Sequence, residues 1–208
     1  MQASPGDRSP IDWRGADGRL LASLRQRFLA GAPGPDYWDS PRRIELYDQT
    51  FAARIRWKWE WALAQAQGRL AAALDPSAPA GRVWVDFGAG TAVASRAWFE
   101  RFPPRPGDRL ILVERSAAAA RFGAERLAAE LGASCSALAI ELRSTPPEAP
   151  GAFWLLSHVL TELETAEFEA LLERLAGAAA ALCVEPGTPA ASARLVALRE
   201  RLRGELPP

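Results

Sequence analysis

Apolar residues recur at two different periods along the chain, and the change of period near residue 80 divides it. Before that point the repeat is helical. Leu20, Leu21, Leu24, Phe28 and Leu29 share one face of a helix over about 16–30, stopped by Gly31. A loop with two prolines occupies 32–39. Ser40 is then a good N-cap and Pro41 suits the first helical position. Ile44, Tyr47, Phe51, Ile55 and Trp59 come next at three- and four-residue steps, which predicts one uninterrupted helix to about residue 74. Prolines and a glycine in 75–81 end it.

From Arg82 onward, short β-type runs alternate with helical runs. Strands are expected over 83–87, 110–113, 136–142, 153–157 and 181–184. Helices are expected over 91–102, 116–131, 164–177 and 189–203. Such alternation builds βαβ units, so the expected fold class is α/β with a Rossmann-like, mostly parallel five-stranded sheet. The organisation read from this is a disordered N-terminus (1–14), a helical N-terminal extension (15–80) and an α/β domain (81–208). The long helix has a broad apolar face that needs a partner, so extension and domain are expected to pack as one unit.

Composition narrows the classes. Lys+Arg and Asp+Glu balance at 25 each, which leaves no global basic field for nucleic acid, though a local patch remains open. The first ten residues lack an apolar core, so no signal peptide is expected. No run approaches the roughly 18 apolar residues of a membrane span. Cys135 and Cys183 lie far apart in apolar runs, without metal-ligand spacing or a disulfide framework. A reducing cytoplasm and no bound metal are the expectation. The chain has one lysine, Lys58, among many arginines, which reads as a composition bias.

Candidate chemistry begins at Asp86-Phe-Gly-Ala-Gly90, between a strand and a helix. Gly88 and Gly90 let the chain turn sharply and bring backbone N–H groups to a ligand at a helix N-terminus. A dinucleotide enzyme prefers a third glycine three residues on, and that position is Val93. No Tyr-x-x-x-Lys pair is present either, which disfavours a nicotinamide reductase. The bland reading is a tight turn with no ligand. Glu114 directly follows the second strand, where a carboxylate offers forked acceptors to two ribose hydroxyls. The alternative for Glu114 is a solvated acid paired with Arg115. Ser157, His158 and Glu162 end the fourth strand, which flanks the first across the switch point of an open parallel sheet. His158, the only histidine, fits a base near neutral pH, with Glu162 the other candidate. Equally, 161–162 only start the next helix. The loop Glu185-Pro-Gly-Thr-Pro189 ends the fifth strand. Finally, Arg54, Trp57, Lys58 and Trp61 interleave cations and aromatics on the long helix. Trp57 and Trp61 share a face, and Trp59 points elsewhere. Stacking on RNA is one reading and core packing, which tryptophans on a long helix favour, is the other.

Four segments together resemble the methyltransferase-like proteins associated with the small ribosomal subunit of bacteria and mitochondria. They are Tyr47-Asp-Gln-Thr-Phe-Ala-Ala-Arg54, the Asp86–Gly90 turn, Val159-Leu-Thr-Glu-Leu163 and Val184-Glu-Pro-Gly-Thr-Pro189. The resemblance spans about 37–203. It implies a class I methyltransferase fold, S-adenosylmethionine as cofactor, and a link to ribosomal RNA or small-subunit assembly. Under it Asp86 orients the cofactor amino group, Gly88 and Gly90 shape its turn, Glu114 holds its ribose, and Ser157 to Glu162 line the reacting end. Family members often carry a cysteine cluster tied to an iron–sulfur centre, which this chain lacks. The antiparallel C-terminal hairpin of a full class I sheet also finds no residues here, so the fifth strand is expected either as an exposed edge, open to an oligomer partner, or as covered by a helix or another subunit. Three functions are compatible with the resemblance: an RNA methyltransferase or a degenerate relative of one, a non-catalytic assembly factor, and a small-molecule methyltransferase.

Overall fold

In the computed structural model, residues 17–30, 38, 40–73 and 81–203 are described. The expectations for 1–14, for the loop 32–39 apart from Trp38, and for the loop 75–80 lie outside them. Three helical stretches come first: α1 (Gly18–Ala30), α2 (Pro41–Tyr47) and α3 (Ala53–Ala73). The α/β part consists of β1 (Val83–Phe87), α4 (Val93–Arg101), β2 (Asp108–Val113), α5 (Ala117–Leu131), β3 (Leu138–Arg143), β4 (Phe153–Ser157), α6 (Thr165–Ala176), β5 (Ala180–Val184) and α7 (Pro189–Leu202).

All five strands are parallel and ordered β3-β2-β1-β4-β5. This is the Rossmann-like arrangement expected, with its switch point between β1 and β4. Among the described residues β5 has a strand neighbour on one side only. The expected third strand begins two residues late, because 132–137 coil into a 3-10 turn.

Side chains alternate across the sheet and fill two cores. On one face Trp84, Leu110, Leu112, Phe153 and Leu155 pack under Ile55, Trp59, Leu63, Trp98 and Phe99 from α3 and α4. On the other, Val85, Ile111, Trp154 and Leu156 meet Phe168, Leu171, Leu175 and Leu198 from α6 and α7. Trp84 stacks on Phe153 at 5.4 Å between ring centroids and meets Phe99 edge-on at 5.2 Å. The helical N-terminal segment thus supplies part of the sheet's own core.

The uninterrupted helix expected over 41–74 is not observed. A π turn at Asp48–Ala52 separates α2 from α3. Thr50 Oγ1 donates to the Leu46 carbonyl at 2.5 Å, and Asp48 turns inward to Arg96. The extra residue of a π turn rotates the downstream helix by about 100°. Beyond the turn, Ile55 and Trp59, expected on the apolar face, are buried together with Leu63. The expected core placement of Trp57 and Trp61 is not observed. They are 47% and 68% exposed, while Trp59 is fully buried.

This reversal is measurable. Trp59→Ala should cost about 3–5 kcal/mol in denaturant unfolding, as for a fully buried tryptophan. Trp61→Ala should stay within about 0.5 kcal/mol. Equal costs would contradict the placement of α3.

Candidate functional site

Five loops meet at the carboxyl ends of β1, β2, β4 and β5 and at the π turn. Asp86 is the fourth residue of β1 and fully buried. Its Oδ2 accepts the Ser95 hydroxyl at 2.6 Å and the Ser95 N–H at 3.2 Å. Ala92, the N-cap of α4, has no side-chain cap bond and a left-handed φ of 57°. Asp86 supplies across the turn the acceptor that this helix end lacks. Its other oxygen, Oδ1, is buried and has no protein partner. Burial pushes the Asp86 carboxyl up to about 6, against the two bonds from Ser95. A buried carboxylate oxygen without a donor fits a cationic or N–H-bearing ligand group.

The glycines work mechanically. Gly88 has φ +70°, and a Cβ there would lie 2.6 Å from Cγ2 of Val159. The turn after β1 is therefore nested against the turn after β4. Its amide and that of Ala89 both donate to the Val113 carbonyl, at 2.9 and 3.0 Å. Gly90, with φ +52°, lies under the Trp38 ring and donates its N–H to Glu114 Oε2 at 2.9 Å. Glu114 Oε1 accepts from Ser116 N at 2.9 Å. Arg115 pairs with Glu167 at 3.3 Å, so Glu114 is not the Arg115-paired acid of the alternative reading. Burial raises the Glu114 carboxyl above its ordinary range, against those backbone bonds.

Across the switch point, Ser157 Oγ accepts Trp59 Nε1–H at 2.9 Å. His158 takes a left-handed backbone, φ 54°, and its N–H donates to Val184 O at 2.9 Å. Its Nε2 lies 3.1 Å from Lys58 Nζ. Burial, with Lys58 adding to it, pulls the imidazole down to about 4. His158 is therefore neutral at pH 7 and is no base tuned near neutrality. Glu162 sits half-buried in the 3-10 turn Leu160–Glu162.

Several residues here were not assigned to this site from the sequence. Glu185 Oε1 accepts from Val159 N and Leu160 N, at 2.9 and 3.0 Å, and so holds the turn that carries His158. Its carboxyl is raised by burial. Tyr47, raised by burial and by the negative field of Glu162, Asp48 and Glu114, sits among the site's acids. Lys58, read as a surface cation, reaches the site. Burial and Glu185 push the Cys183 thiol well up, so it is an inert neighbour. The only available signal was the place of Tyr47 and Glu185 within the two most distinctive motifs. Among the described residues no cluster of metal-ligating side chains occurs, and no helix is long and apolar enough to cross a membrane.

The family model described as mitochondrial small ribosomal subunit Rsm22 matches residues 50–206. No curated protein matches the chain. Among solved structures, the chain is 21% identical to a geranyl diphosphate methyltransferase in complex with GPP and sinefungin, over 54% of this chain and 40% of that one, with a TM-score of 0.34. It is 17% identical to Haemonchus contortus phosphoethanolamine N-methyltransferase 2 in complex with S-adenosylhomocysteine, over 68% and 33%, at 0.35. It is also 17% identical to the Streptomyces coelicolor A3(2) geranyl diphosphate C-methyltransferase, over 83% and 63%, at 0.35. The chain thus spans two fifths or less of the first two of these proteins.

The nesting of the two turns makes a specific forecast. Gly88→Ala should destabilise by roughly 2–4 kcal/mol through left-handed strain and overlap with Val159. Val159→Ala in the same chain should recover part of that, giving a double-mutant coupling of at least about 1 kcal/mol. Additive costs would show that the turns do not touch.

Proposed function

The chain belongs to the family of mitochondrial small ribosomal subunit Rsm22 proteins, and from that premise we propose that it binds S-adenosylmethionine at the switch point and acts on or beside ribosomal RNA. The observation that carries the cofactor reading is the meeting, at one strand-order reversal, of a glycine turn, the half-buried Glu114 and the unpartnered Oδ1 of Asp86. Asp86 would take the ligand's amino group, the backbone of 88–90 its amino-acid end, Glu114 its ribose, and Ser157 would border the reacting end. S-adenosylmethionine supplies an already activated methyl group, so the protein's share of catalysis is chiefly positioning. Two free cysteines fit a reducing compartment.

The RNA reading rests on α3. Its outer face carries Arg54, Trp57, Lys58, Trp61 and Arg69, all exposed, and no carboxylate. Bases stack on exposed indoles, and phosphates are met by cations on the same face. A second reading, a non-catalytic assembly factor, has its own support. The Gly88 and Gly90 amides already donate within the protein, and Trp38 lies over Gly90.

Titration calorimetry with S-adenosylmethionine separates the two. Micromolar to sub-millimolar binding is expected, weakened at least about tenfold in Glu114→Ala. The sign of its pH dependence comes from Asp86. A cationic amino group favours the ionised carboxylate, whose ordinary 3.8 is raised to about 6 in the protein. Affinity should hold above pH 6 and fall by up to about tenfold per unit below it. Asp86→Asn should remove that dependence. No binding by folded protein at millimolar ligand would leave the assembly-factor reading.

On the RNA side, Trp57→Ala and Trp61→Ala should each weaken binding of a single-stranded RNA oligonucleotide by about tenfold. Arg54→Ala should lower the salt slope by about one. Unchanged affinity in both tryptophan variants would remove α3 from any RNA contact.

A further inference from the structure

The chain's only lysine and its only histidine lie 100 positions apart and meet at 3.1 Å. Every other cationic side chain in the protein is an arginine, so the composition bias has one exception, and it sits at the switch point.

The geometry decides the proton's place. Lys58 is exposed; partial burial lowers its ammonium below the ordinary lysine value, and the Glu185 carboxylate opposes that. An ammonium has donors and no acceptor. Lys58 Nζ therefore donates, His158 Nε2 accepts, and the imidazole proton is on Nδ1. No partner of Nδ1 is present among the described residues, and the ring is half-buried. The ring's position is imposed from three sides. Its own backbone is left-handed and tied to Val184 O, and Glu185 grips the next two amides along the chain. A non-glycine residue held in that conformation is strained, and such strain persists where the surroundings over-determine it. The charged group acting on the ring is Lys58 from α3, and Glu185 from the end of β5 acts in turn on Lys58 and on Cys183.

We propose that Lys58 is a positioning residue that locks His158 as an uncharged imidazole with its proton on Nδ1, so that the end of β4 presents a hydrogen-bond donor rather than a base. This rests on the reading of the switch point as the cofactor and acceptor site. It narrows the acceptor to a group that brings its own lone pair, such as a ring nitrogen or carbonyl oxygen of a nucleobase. A group that must first lose a proton to His158 is excluded. A lysine suits this position because a single ammonium makes one directed bond to a ring nitrogen, where a guanidinium spreads its donors over a planar fork.

Because His158 is the only histidine, its two ring nitrogens can be read by long-range 1H–15N NMR of the whole protein without assignment. In the wild type the Nδ1-protonated neutral form should persist from pH 8 to about 5. In Lys58→Met, the ring should become a mixture of tautomers, and its titration midpoint should rise by at least about half a unit. It should remain below 6.5 because burial persists. Lys58→Arg, which keeps a donor, should retain the Nδ1-protonated form. An Nε2-protonated ring in the wild type, or a tautomer and midpoint unmoved by Lys58→Met, would overturn the assignment. The spectrum needs no ligand, so this result stands apart from S-adenosylmethionine binding. Lys58→Met that loses the tautomer yet binds the cofactor within about threefold of wild type isolates the pair from the cofactor site.

Discussion

The buried ion pair of Asp48 and Arg96 is the interaction on which the rest of the site depends. Arg96 reaches Asp48 at 2.5 Å, Glu130 at 2.6 Å and the Thr91 carbonyl, and Arg126 approaches the other Asp48 oxygen at 3.3 Å. Arg56 extends the network from α3 to Glu100 and Glu130. The π turn, α3, α4 and α5 are thus fastened to each other directly behind the glycine turn. A buried pair of this kind is not a net source of stability, since desolvation offsets its attraction. Breaking it by removing one partner is costly, about 3–5 kcal/mol, because the other charge stays buried. What it supplies is placement. Asp48 turns inward within the π turn, and just beyond it α3 carries Trp59 to Ser157 and Lys58 to His158.

The same pair separates the parts of the protein that were legible in sequence from those that were not. The sheet was legible, because its central strands β1, β2 and β4 are buried and read as apolar runs between turns. So was the position of Asp86, Gly88, Gly90 and Glu114 at the ends of β1 and β2, because the turn and the acid after β2 are local signals. The interruption at Asp48–Ala52 was not. A single-residue shift of helical phase leaves the apolar spacing looking intact, and the partner of the inward-turned Asp48 is an arginine 48 positions away. Trp59 lies in the core as the apolar face implied, whereas the core placement of Trp57 and Trp61 failed. The Lys58–His158 and Glu185–Val159 contacts were invisible for a similar reason. Each is a long-range pairing between two residues with unremarkable local surroundings.

The site combines two tendencies. The glycine turn, Glu114 and the open oxygen of Asp86 are arranged as a ligand site at a strand-order reversal would be. At the same time the protein satisfies much of that site itself, with Gly90 on Glu114, Ser95 on Asp86 and Trp59 on Ser157. A ligand would compete with few of these bonds, because a carboxylate has acceptor capacity left after one N–H. The arrangement is thus preorganised in the folded chain, and binding should order little. The neutral His158 agrees with a site whose acceptor brings its own lone pair.

Whether the switch point at the carboxyl ends of β1 and β4 is the cofactor site is tested most directly by a crystal structure grown with S-adenosylhomocysteine. The ligand is expected over residues 88–90, with its ribose hydroxyls on Glu114 and its amino group within hydrogen-bond reach of Asp86. A ligand bound elsewhere, or none at the switch point at saturating concentration, would contradict the assignment.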